Sequence, residues 1–148
     1  MVMQFLTFTM NKTMYAFDVR HVQEVLEYTP PIQVPCSEPY IEGLIKSRNE
    51  GITVISLSKK FNMTVEAPTK KSRIIVLEIN NPTEDDPHHL SLFGVTADDV
   101  HEVIALDETE IEHPPKFGNV IPVENITGII NKEGSFIMIL DTEKIFVA

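Results

Sequence analysis

The chain has 148 residues, 43% of them hydrophobic and 23% charged, the balance of one globular domain or of two very small ones sharing a core. A net charge of −10 disfavours phosphate backbones and anionic lipid, so no nucleic-acid role is expected, and the run Lys70, Lys71, Arg73 reads as solvated linker. A lone cysteine (Cys36), an opening MVMQFLTFTM without signal-peptide character and the lack of any apolar run near the ~20 residues of a membrane span lead to the expectation of a soluble, cytoplasmic protein.

Strand signals dominate from the start. MQFLTFT (3–9) alternates, and MYAFDVRHVQEVL (14–26) reads as strand, single helical turn near Asp18–His21, and strand. IEGLI (41–45) and ITVISL (52–57) follow, then a short helical piece in SKKF. The turn-rich, charged TVEAPTKKS (64–72) divides the chain into subdomains of about 10–68 and 69–148. Beyond it, RIIVLEI (73–79) is a buried-strand run, and NNPTEDDPHH (80–89) reads as a mobile hairpin loop. Further on, a helical turn is expected near Ala97–Asp99, a strand in SFIMIL (135–140), and a short helix in DTEKIF with Asp141 as its N-cap.

The chain also repeats itself. RHVQEVLEY (20–28) returns as DDVHEVIAL (98–106), so Val22, Glu24 and Val25 reappear as Val100, Glu102 and Val103. The match extends from MYAFDVRHVQEVL to LFGVTADDVHEVI (92–104), from IEGLI to ITGII (126–130), and from NEGITVISL (49–57) to KEGSFIMIL (132–140). Gly43 thus aligns with Gly128, where the pattern predicts a strand start with another backbone passing close. Gly51 aligns with Gly134, each following a glutamate, and both Glu-Gly pairs are expected to be hairpin turns because glycine takes positive φ without steric cost. The expected all-β fold is a small closed β-barrel from each half with an apolar seam between them, and strand 3–9 is a candidate to cross over and complete the second barrel.

Few residues point to chemistry. His88 and His89 beside Asp85 and Asp86 lack metal-ligand spacing, and adjacent histidines on one loop do not converge on an ion. Asp98, Asp99, Glu108 and Glu110 lie apart from any nucleophile motif or glycine-rich phosphate loop. No catalytic residue, metal or cofactor is expected, which disfavours a small β-barrel enzyme.

Read together, QFLTFTMNKTMYAFDVRHVQEVLEY, IEGLIKSRNEGITVISL, FGVTADDVHEVIAL, ITGII and ILDTEKIF resemble the CheW family of chemotaxis adaptors over almost the whole chain. The resemblance implies two five-stranded β-barrels around a shared hydrophobic core, and a non-enzymatic scaffold that joins transmembrane chemoreceptors to the histidine kinase CheA, with other CheW copies as further ring partners. Carried over by position, the surface for the receptor's helical-hairpin tip comprises Val22, Glu24, Val25, Gly43 and Arg48. Phe136, Met138 and Leu140 fall to the CheA regulatory domain. Such a protein is expected at the inner face of the membrane through its receptors, without inserting into the bilayer. The chain departs from the family pattern at Lys46-Ser47 (usually Asn-Leu), Asn49 (Gly), Thr53 (Pro) and Ser56 (Asp). Within the same resemblance, a CheW-like module of another array or a free kinase regulatory domain is the alternative.

Overall fold

The computed structural model describes residues 1–35, 37–47, 49–114 and 121–146. Its strands are β1 (Val2–Met10), β2 (Thr13–Asp18), β3 (Val22–Glu27), β4 (Ile41–Ser47), β5 (Glu50–Ile55), β6 (Arg73–Asn80), β7 (Leu90–Ala97), β8 (Asp99–Asp107), β9 (Ile111–Glu112), β10 (Ile126–Lys132) and β11 (Ser135–Leu140). The two expected helical pieces are present as α1 (Leu57–Lys60) and α2 (Thr142–Phe146). Each starts on an oxygen-bearing cap. Ser56 Oγ accepts from the Lys59 N–H at 3.3 Å, and Asp141 Oδ1 accepts from the Glu143 and Lys144 N–H groups at 3.1 Å. A 3-10 turn occupies Val19–His21 as anticipated, but none forms at Ala97–Asp99: β7 ends at Ala97, β8 begins at Asp99, and the Asp98 N–H bonds the Thr9 carbonyl at 2.9 Å.

The strands form a six-stranded sheet, ordered β8-β1-β2-β11-β10-β9, and a five-stranded sheet, ordered β3-β6-β7-β5-β4. These are two open, curled sheets, and the barrel expectation is corrected to that extent. The orders match strand for strand, with β1 equivalent to β6, β2 to β7, β3 to β8, β4 to β10 and β5 to β11. Register carries the equivalence to single residues: Tyr15 and Ala16 lie parallel to Met138 and Ile139, as Phe93 and Gly94 lie parallel to Thr53 and Val54. Each sheet therefore draws strands from both repeats. The first repeat lends β1 and β2 to the six-stranded sheet, while the second lends β6 and β7 to the five-stranded one.

Alternation along these central strands builds three apolar layers. Leu6, Phe8, Tyr15, Phe17, Ile75, Leu77, Phe93 and Val95 point into a central layer between the sheets, joined by Leu57 and Ile145 from the helices. The opposite faces fill the hollow of each sheet, with Phe5, Ala16 and Ile104 in one and Ile52, Val54, Ile74 and Val76 in the other. Strands buried on both faces read as continuous apolar runs, which explains RIIVLEI and SFIMIL.

The β4–β5 hairpin departs from expectation. Ser47 pairs with Glu50, the turn falls at Asn49 with φ of 66°, and Gly51 lies inside β5 opposite Lys46. In the second repeat Lys132 pairs with Ser135, and the turn is at Glu133-Gly134 (φ 51° and 81°), as expected. The structural partner of Gly134 is thus Asn49, a residue that tolerates the left-handed region.

Asp18 organises the crossover from one sheet to the other. Its carboxylate accepts the Arg20 N–H at 2.9 Å and the Arg20 guanidinium at 2.7 Å. Burial opposes its charge, but the side-chain and backbone hydrogen bonds from Arg20, with the positive charge nearby, outweigh this and hold the carboxyl below the usual carboxylate range. A lowered folded-state pKa contributes stability that is complete above the unfolded value of about 3.9 and lost as pH falls through the folded value. Asp18→Ala is expected to cost about 1–2 kcal/mol at neutral pH, with the difference from the parent shrinking below about pH 4. Urea unfolding across that range reads it, and a difference independent of pH would contradict the carboxylate's role.

Candidate functional site

The sequence places its most specific surface residues on β3, and a β-bulge there decides where they point. Val22 pairs with Leu77 and Glu24 with Val76, leaving Gln23 as the extra residue. Val22 and Val25 consequently face the same side as Leu77 and Ile75, whereas Glu24 and Leu26 share the opposite face with Val76 and Ile74. Simple alternation would put Val22 and Glu24 on one face; the bulge separates them.

β3 and β4 are the two edges of the five-stranded sheet, yet Ser47 Oγ on β4 donates to Glu24 Oε1 on β3 at 3.0 Å. The sheet thus curls until a side-chain clasp spans its edges. At the equivalent positions of the six-stranded sheet, Lys132 Nζ on β10, next to the two-residue edge strand β9, lies 3.4 Å from Glu102 Oε1 on the opposite edge β8. Sequence reasoning identified neither Ser47 nor Lys132. Their shared place at the end of the strand before each hairpin was the available signal.

A cleft of about 480 Å³ lies along the seam between β3 and β4, lined by Leu26, Ile32, Leu44, Ile45, Lys46 and Ile74. Ile32 and Leu44 exchange both backbone hydrogen bonds at 2.8 Å, so the segment before β4 runs as a bridge beside it. Apolar side chains remain in solvent around this seam: Val25 and Leu44 are each 39% exposed and Ile32 is 77% exposed. An anchored carboxylate near uncovered aliphatic groups offers the chemistry by which a surface recognises a partner.

Gly43 is buried with φ of 141°, and a Cβ on it would fall on the backbone carbonyl of Ile32. The predicted close approach of another chain segment is therefore present here, as it is at Gly128 against Ile111 and Glu112. Gly43 shapes the seam from beneath. Arg48 lies outside the described residues. Two departures from the family pattern keep the local physics, since Asn49 occupies the positive-φ turn and Ser56 caps α1 as Asp141 caps α2. A third adds something: Ser47 supplies the donor that holds Glu24.

Phe136, Met138 and Leu140 share one face of β11 and pass from solvent into the core. Phe136 is 62% exposed, Met138 is half-buried, and Leu140 is inside the central layer. Gly51, Thr53 and Ile55 hold the equivalent places in β5, so the exposed aromatic ring belongs to the second repeat alone.

The acidic loop is organised by hydrogen bonds of its own. Thr83 Oγ1 accepts the Asp86 N–H at 3.0 Å, and Asp86 Oδ1 accepts the His88 N–H at 2.9 Å. Asp98 accepts the Asn11 N–H at 2.8 Å; burial raises its pKa, an effect that this hydrogen bond partly offsets. Asp86 and Asp98 thus serve the backbone.

A family model described as the CheW-like domain matches residues 4–148. The chain is 26% identical over 147 residues to the chemotaxis protein CheW of Treponema pallidum, covering 97% of this chain and 81% of that protein. It is 28% identical to the chemotaxis protein CheW of Bacillus subtilis, covering 95% of this chain and 84% of that protein. Among solved structures it is similar to the scaffolding protein TtCheW from Thermoanaerobacter tengcongensis, with a TM-score of 0.87 and 30% identity over 100% of this chain and 90% of that one.

Proposed function

Because the chain belongs to the CheW-like family of chemotaxis scaffolds, we propose that it couples the helical-hairpin tips of chemoreceptors to the regulatory domain of CheA. The observation that carries the receptor half of this reading is the seam: Ile32 and Leu44 uncovered along it, Val25 uncovered on one face of its edge strand β3, and Glu24 on the other face tied across to β4 by Ser47. Spaced aliphatic groups suit the apolar face of an amphipathic helix, and a fixed carboxylate on the rim sets its register. Val25 supplies the exposed anchor, Val22 supports it from a half-buried position, Gly43 keeps the seam's shape, and Arg48 joins this set through the family pattern alone. The kinase domain docks at the Phe136 end of the six-stranded sheet, with Met138 beneath the ring and Leu140 as its buried footing. Further copies of the chain join the same array, which holds the scaffold at the inner face of the membrane. Two weak contacts on one body gain from effective concentration within such an array.

Titration against a receptor-tip fragment and against a CheA regulatory domain tests both halves. Glu24→Lys and Arg48→Glu are expected to weaken the receptor fragment by about 1–3 kcal/mol while leaving the kinase domain's affinity and the melting temperature nearly unchanged. Phe136→Ser is expected to do the reverse. Variants that leave both binding curves where the parent has them would remove these surfaces from the reading.

A further inference from the structure

The two short helices are repeat partners, and they touch. Lys60 closes α1 and donates from Nζ to the carbonyl of Ile145 in the last turn of α2. The same ammonium sits 5.1 Å from the centroid of the Tyr40 ring, just before β4. Counting from the matched caps Ser56 and Asp141, Lys60 and Ile145 occupy the same place in the two repeats. The bond therefore spans the approximate twofold relation between the sheets, from the helix after β5 to the helix after β11. On its far side Ile145 is fully buried in the central layer, and the Phe146 ring lies 4.4 Å from that of Phe93 on β7.

Chemistry makes this contact unlike its surroundings. Most of the central layer is apolar, and apolar burial is non-directional, so it resists separation of the sheets far more than a small slide. A hydrogen bond to a helix-end carbonyl has a direction, and the last carbonyls of a helix lack partners within it. The second repeat fills the equivalent position with isoleucine, so an apolar residue is compatible with packing there. Lys60 instead carries a charge to a site where burial lowers its pKa.

We propose that Lys60 is a positioning residue that locks the setting of the five-stranded sheet against the six-stranded sheet, and through it couples the receptor-facing seam to the kinase-facing end. The functional half of this inference rests on the proposed function; the structural half does not. Lys60→Met keeps the aliphatic stem and removes the donor, Lys60→Arg restores a donor, and Tyr40→Leu removes the ring face while keeping bulk.

In a reconstituted mixture of the full chain, CheA and a receptor fragment, Lys60→Met is expected to bind each partner within twofold of the parent. It is expected to reduce the receptor-dependent change in kinase rate at least threefold. Lys60→Arg should recover that change, and Tyr40→Leu should show a smaller loss. A control ratio unchanged in Lys60→Met, or one lost only in proportion to binding or to folding measured by urea midpoint, overturns the coupling. Should the unaltered chain bind neither partner, the proposed function fails, and the lock is then decided by spin labels on Leu44→Cys and Val103→Cys in a Cys36→Ser background. Lys60→Met broadens the distance distribution between the sheets and Lys60→Arg narrows it again; an identical distribution in all three overturns the lock.

Discussion

Alanine at Gly43 is expected to destabilise the protein by about 2–5 kcal/mol, the sum of forcing a side chain into a positive-φ conformation and of displacing a neighbouring backbone. The φ of 141° suits glycine, and the space a Cβ requires is held by the Ile32 carbonyl and the Gln33 nitrogen, neither of which is the movable end of a side chain. Relief would require the Ile32 bridge to leave β4, breaking two hydrogen bonds of 2.8 Å and opening the seam. Gly51→Ala is the matched control, since nothing lies within 4 Å of a Cβ there, and it should change stability by no more than about 0.5 kcal/mol. Urea midpoints of the two variants read the contrast. Equal, small effects would mean that no chain segment presses against Gly43.

Phe8→Ala is expected to cost about 3–5 kcal/mol and to lower the melting temperature by on the order of 10 °C. Phe8 is completely buried in the central layer, with its ring 4.9 Å from that of Phe17 and 5.9 Å from that of Tyr15. Its strand belongs to the first repeat, while the sheet it sits in is completed by β8, β10 and β11 of the second. The loss should therefore move one cooperative transition of the whole chain, with fluorescence and far-UV signals shifting together. A separate early transition confined to part of the chain would show that the sheets do not share their core.

The parts of the fold legible beforehand were those that depend on pattern over several residues. The strand runs, the two helical pieces and the Asp141 cap of the second, and the close packing at Gly43 and Gly128 all follow from local pattern or from the absence of a side chain. Errors arose where one residue changes the outcome. Gln23 bulges, and the faces of Val22 and Glu24 separate. Matching Gly51 to Gly134 displaced the hairpin by two positions, and a two-residue slip keeps every side chain on its face, so Ile52, Val54 and Ile55 gave no warning. The position of Asn49 in the turn became evident only through the pairing of Ser47 with Glu50.

Legibility of the site was narrower still. Glu24 and Val25 were marked by repetition and resemblance, but Ser47 reaches Glu24 because two sheet edges far apart in the strand order curl together. No local pattern records that approach. Lys60 is similar: in sequence it is one of several lysines near a short helix, and only the packing of α1 beside α2 brings it to the Ile145 carbonyl. Exposure of Ile32 and Leu44 followed from a single bridge that interrupts an otherwise irregular, proline-rich segment.

The lending of strands between repeats has a consequence for how the chain is born. β1 emerges from the ribosome well before its neighbour β8, which is made some hundred residues later, with Val2 finally lying opposite Asp107. Until then β1 and β2 wait as a hairpin with both apolar faces uncovered, and neither sheet can close before the second repeat has been translated. Long-range pairing of this kind folds slowly and leaves sticky intermediates. Nascent copies on neighbouring ribosomes thus have the chance to exchange their opening hairpins, so dimers with swapped β1–β2 are the misassembly this topology invites.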